Sequence, residues 1–175
     1  MKVHEGDLTI KHGHLHVDHE LQTITGNLLI GYHAVMDASQ LTSVSGAVAM
    51  EEGSSLYGRE LRTISGWLHV DRIARVYVPK LSSVSQSVRV TGGSQLYMQS
   101  LQTIHGNLHV HGRKSMMISP ELKTISGNLW VWGGGSLMTP KLQAVVGDVV
   151  LRDTHYLDST FLQNVKTLPL DGSVA

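Results

Sequence analysis

Residues 101–110 read LQTIHGNLHV, and the chain writes that decapeptide repeatedly. Counterparts are residues 21–30 (LQTITGNLLI), 41–50 (LTSVSGAVAM), 61–70 (LRTISGWLHV), 81–90 (LSSVSQSVRV), 122–131 (LKTISGNLWV) and 142–151 (LQAVVGDVVL). The leading leucines stand at 21, 41, 61, 81, 101, 122, 142 and 162, a period of 20 residues with one slip to 21. A strict period of this length marks a solenoid, in which each repeat buries its apolar side only against its neighbours. The expectation is an all-β, right-handed parallel β-solenoid of about eight 20-residue coils, filling one domain over residues 1–175.

Within the decapeptide, apolar and polar residues alternate as in a strand. Ile104, Gly106, Leu108 and Val110 are expected inward, and His105, Asn107, His109 and His111 outward. The recurring glycine marks a place where backbone approaches closely or the strand bends. Gln86 breaks the glycine column, which predicts a buried amide there. The second half of each repeat is turn-rich, as in EEGSSLYGRE and TGGSQLYMQS. One apolar residue recurs in it, at Met36, Leu56, Val76, Leu96, Met117, Leu137 and Leu157, and predicts a second, shorter inward segment.

The ends depart from the pattern. Residues 1–20 form a degenerate first coil, with Met1 and His4 where leucine and isoleucine are expected. Residues 162–175 begin another repeat and break at Pro169, which cannot donate to a sheet ladder, so this stretch is expected to cap the stack.

Fourteen basic and 14 acidic residues cancel. This argues against a nucleic-acid binder, which normally carries a basic excess. Cysteine is absent, so no disulfide framework or oxidising compartment is indicated. No apolar run approaches the roughly 18–20 residues of a membrane span, and MKVHEGDLTI at residues 1–10 already follows the repeat pattern, so a signal region is not expected from it. A cytoplasmic protein is expected, without contact with a membrane.

The signature L-x-x-[IV]-x-G-x-[LV]-x-[VI] resembles the receptor L domain and related leucine-rich cell-wall proteins of fungi. The resemblance implies a right-handed parallel β-helix of leucine-rich-repeat character and a protein or peptide ligand. The coils here are shorter and more regular, and cysteines are missing. A weaker resemblance, through the Gly-x-[IV]-x-[VI] rhythm, is to bactofilins, cytoplasmic β-helices that polymerise end to end.

In a solenoid, outward positions become vertical columns. One runs Thr9, Leu29, Ala49, His69, Arg89, His109, Trp130, Val150, and its neighbour runs Lys11, Gly31, Glu51, Asp71, Thr91, His111, Trp132, Arg152. Trp67, His69, Arg89, His109, His111, Trp130 and Trp132 therefore form one candidate binding patch on the strand face. Tryptophan and arginine are the residues most enriched in binding hot spots. A second stripe, Tyr57, Tyr77, Tyr97, Ile118 and Met138, is a candidate homo-oligomer interface or a purely structural stack. His12, His14, His16 and His19 cluster near the start, but no zinc-type spacing accompanies them, so no metal is assigned. There is no nucleophile elbow, phosphate-binding glycine loop or catalytic cysteine, and no cofactor is indicated. Glu51 and Asp71, one rung apart, are a carboxylate pair of the kind a retaining glycosidase uses. The leading functional expectation is a non-enzymatic protein-binding module, such as a small inhibitor or adaptor of bacterial or phage kind. The alternatives are a self-assembling structural β-helix and a carbohydrate-active enzyme.

Overall fold

A computed structural model describes residues 2–163. The chain winds into a parallel β-solenoid of about eight coils, with three eight-stranded sheets as its faces. Each coil contributes one short strand to each sheet. Strands pair with those one coil away, as in Thr63 with Ser83, His69 with Arg89 and Tyr77 with Tyr97. The slip to 21 residues leaves all three sheets intact. It is absorbed between Leu108–His111 and Met116–Ile118, where the turn is one residue longer than that between Val88–Thr91 and Gln95–Tyr97. Lys114 in that turn takes a left-handed φ of 66°.

The decapeptide is not one strand, which corrects the expectation. It splits into Thr103–Ile104 in the first sheet and Leu108–His111 in the second, with a bend at residues 105–107. Ile104 and Leu108 lie four residues apart, so both still point inward, and the alternation predicted burial while concealing the corner. The glycines sit at that corner, where backbone stacks on backbone. The Gly46 N–H donates to the Gly26 carbonyl at 2.9 Å, and Gly66 N–H to the Gly46 carbonyl at 2.9 Å. A Cβ at Gly66 would lie 2.6 Å from the backbone nitrogen of Ala47, so no side chain fits. Gln86, in the same column, is exposed rather than buried, because the corner turns its amide to solvent.

Beside the glycines runs a polar ladder that sequence reading missed. Asn27 Oδ1 accepts the Ala47 N–H at 2.8 Å, and Asn107 Oδ1 accepts the Asn128 N–H at 2.8 Å. Asn128 Oδ1 in turn accepts the Asp148 N–H at 2.8 Å. These bonds satisfy amides that the bend removes from the sheet ladders. The repeated Gly-Asn dipeptide was its sequence signal.

Inside the coils, Leu41, Leu61, Leu81, Leu101 and Leu122 stack with Val44, Ile64, Val84, Ile104 and Ile125 in a continuous buried column. Met36, Leu56, Val76, Leu96, Met117 and Leu137 fill the third side, as the spacing predicted. Each such side chain contributes about 1.5–3 kcal/mol relative to exposure.

In the first coil Lys2, not Met1, stands opposite Leu21; Met1 lies outside the described residues. His4 pairs with Ile24, and His16 occupies the inward column beside Met36. With His16 inward, Leu15 and Val17 point out and are 70% and 52% exposed. At the other end a short helix, Thr160–Gln163, buries Leu162 and packs against the strand Tyr156–Asp158. Pro169 and the rest of the expected cap lie outside the described residues.

Candidate binding face

The second sheet places His69, Arg89, His109 and Trp130 in successive rungs of one outward column, in the register read from the sequence. Thr91, His111, Trp132 and Arg152 form the adjoining column. These strands hold β-branched or leucine residues at the inward positions, such as Leu68 and Val70, so the alternating positions must face out.

The rings on this face contact one another in pairs. Trp67 stacks on His69 with centroids 4.1 Å apart at 29°. His109 meets Trp130 edge-on, also at 4.1 Å, with an angle of 65°. His111 lies 4.0 Å from Trp132. Arg89 is thus bracketed by two imidazoles, each backed by an indole. Trp67 is not on a strand, contrary to expectation. It precedes the strand Leu68–Val70 at the corner, in the column that holds Asn27 and Asn107, and only its ring reaches the face. Trp132 is the most open of the three indoles at 46% exposure, while Trp67 and Trp130 are half-buried.

Burial, then the neighbouring Arg89 charge, holds both His69 and His109 below the usual imidazole range. Both rings are therefore uncharged near neutrality. Asp71, in the adjoining column, accepts a short hydrogen bond from the Thr91 hydroxyl. The Glu51 carboxylate turns the other way, accepting the Tyr32 N–H at 3.2 Å. The two carboxylates of the enzymatic alternative thus engage opposite neighbours along the stack.

On the third sheet, Tyr57, Tyr77, Tyr97, Ile118 and Met138 form the vertical column expected of them. The Tyr77 and Tyr97 rings stack 5.2 Å apart and nearly parallel at 6°. Beside them, with Arg75, Gln95 and Met116 on its walls, lies a shallow groove of about 330 Å³.

The early histidines diverge. His12 packs near Tyr32 and His33, His16 turns inward, and His19 Nδ1 lies 3.0 Å from Ser39 Oγ. Among the described residues, no group of three or more His, Asp or Glu side chains gathers in a way that would hold a metal ion. Nor is any described helix long and apolar enough to cross a membrane.

Sequence reading overlooked Ile73, at the turn beside this face. Consecutive residues Arg72 and Ile73 take left-handed φ angles of 44° and 56°, where other coils use Gly53 or Gly93. Ile73 is also 56% exposed. A β-branched residue in this conformation is a genuine outlier. Its signal was the absence of glycine from DRIAR.

No known protein family, curated protein or solved structure matches this chain.

Proposed function

We propose that this protein is a non-enzymatic binding module that recognises another protein through the outer face of its second sheet. The observation that carries the reading is the His69–Arg89–His109–Trp130 column, with Trp67 and Trp130 in contact with its two imidazoles. Parallel sheets ordinarily have both faces covered, and this one presents half-buried indoles and a bracketed arginine outward. Such aromatic and arginine side chains are the anchors that dominate interface energies. The leucine-rich lead of each repeat resembles that of receptor L domains, whose ligands are proteins and peptides. Placement in the cytoplasm accords with the absence of cysteine.

A second reading, end-to-end self-association, draws on one feature: the first coil offers unpaired strand edges beside exposed Leu15 and Val17. Light scattering across concentration separates the two, since open-ended growth belongs to self-assembly and a fixed mass to the module. The decisive test of the module is capture of protein partners by wild type and by an Arg89→Ala/Trp130→Ala variant of matched thermal stability. Loss of a specific partner is the expected result. Undiminished capture would remove this face from consideration.

A further inference from the structure

We infer that Arg89 is a receptor for a carboxylate, presented by an acidic, extended segment of the partner protein. The inference rests on reading the second-sheet face as the binding face. Arg89 is exposed, and no carboxylate among the described residues lies within ion-pair distance of it. The nearest candidate in the adjoining column, Asp71, is engaged by the Thr91 hydroxyl. Above and below, His69 and His109 hold no charge near neutrality and bring the apolar bulk of Trp67 and Trp130 with them.

The guanidinium therefore makes no ion pair among the described residues, and Asp71, which lines the same small cleft, is held by the Thr91 hydroxyl. The planar guanidinium fork is pre-organised, so less entropy is lost per hydrogen bond formed when it is paired. A guanidinium fork matches the two oxygens of a carboxylate in bidentate geometry. An acidic side chain is the complement that this arrangement lacks.

The column also sets a spacing. Trp130 lies two rungs from Arg89, which is about 10 Å at the usual strand separation. In a polyproline II segment, residues three apart point the same way and are separated by about 9 Å. In a β-strand, residues three apart point to opposite faces. Among extended segments this spacing selects a polyproline II-like one, with an acidic residue over Arg89 and an apolar residue three positions away over Trp130.

The test uses two synthetic peptides, Pro-Glu-Pro-Pro-Leu-Pro and its Gln analogue, titrated into the full chain while indole N–H resonances are followed. The Glu peptide is expected to bind at least tenfold tighter than the Gln peptide, with the preference shrinking at high salt. Arg89→Gln should erase the preference, and Trp130→Ala should weaken both peptides alike. Equal binding of the two peptides by wild type, or a preference surviving in Arg89→Gln, overturns the carboxylate assignment. So does the failure of both peptides to bind while Trp130-dependent partner capture persists, an outcome that leaves the face itself standing. Loss of Trp130 dependence in capture overturns the face instead.

Discussion

Replacing Gly66 by alanine tests the stacking of coils directly. The added Cβ would sit 2.6 Å from Ala47 N, 2.7 Å from Ala47 Cα and 2.7 Å from the carbonyl carbon of Gly46. All three atoms are backbone, so no side chain can swing aside. Comfortable carbon contacts lie near 3.5–4.0 Å, so the corner must open by close to 1 Å. Overpacking of this kind costs about 1–3 kcal/mol. Opening also stretches the Gly66 N–H to Gly46 carbonyl bond and the Val48 N–H to Trp67 carbonyl bond, now 2.9 and 2.8 Å. Each bond is worth about 1 kcal/mol net. Alanine recovers about 0.4–1 kcal/mol by restricting the unfolded chain. The balance is a loss of about 2–4 kcal/mol. For a chain of this size that lowers the melting temperature by about 5–15 °C. Thermal unfolding followed by circular dichroism measures it, with Gln86→Ala as the control, because the same column there is already open to solvent. The control should stay within about 0.5 kcal/mol of wild type. If Gly66→Ala melts with the control, the backbone-on-backbone corner is wrong.

Two further predictions concern the binding face and its margin. His69 and His109 have folded pKa values below the ordinary one, through burial first and Arg89 second. The unfolded chain therefore takes up these protons first. Their contribution to stability is fully present above the usual imidazole pKa of about 6.5 and is lost as pH falls through it toward the folded values. The urea midpoint should fall between pH 7.5 and 5.5, and a His69→Gln/His109→Gln variant should show a shallower fall; an unchanged slope refutes the assignment. Ile73→Gly should raise stability by about 1 kcal/mol, because glycine adopts the left-handed φ of 56° without the penalty that isoleucine carries. A lower urea midpoint for that variant would mean that the half-exposed side chain stabilises the turn more than its backbone strains it.

Much of this architecture was legible because a solenoid converts sequence period into spatial contact. Residues 20 apart became vertical neighbours, so the His69–Arg89–His109–Trp130 column could be written down from the text. The tyrosine column on the third sheet was readable for the same reason. The corner at Gly106 was not. A period-two pattern is preserved when the inward residues on either side of a bend are an even number of positions apart, as Ile104 and Leu108 are, so one strand and two strands in different sheets read alike. Gln86 misled by the same route, since a corner position was taken for an inward one.

By itself the sequence determined the parallel β-solenoid, the coil count and the membership of each outward column. Those follow from repetition and from the burial of leucine, isoleucine and valine, which are local and periodic. Only the tertiary structure decided that three sheets rather than two wall the coil, and that Trp67 folds its ring from the corner onto His69. It also decided that Glu51 and Asp71 engage opposite neighbours. Those outcomes depend on backbone direction at the bends and on side-chain rotamers, which contacts between coils select and which no period encodes.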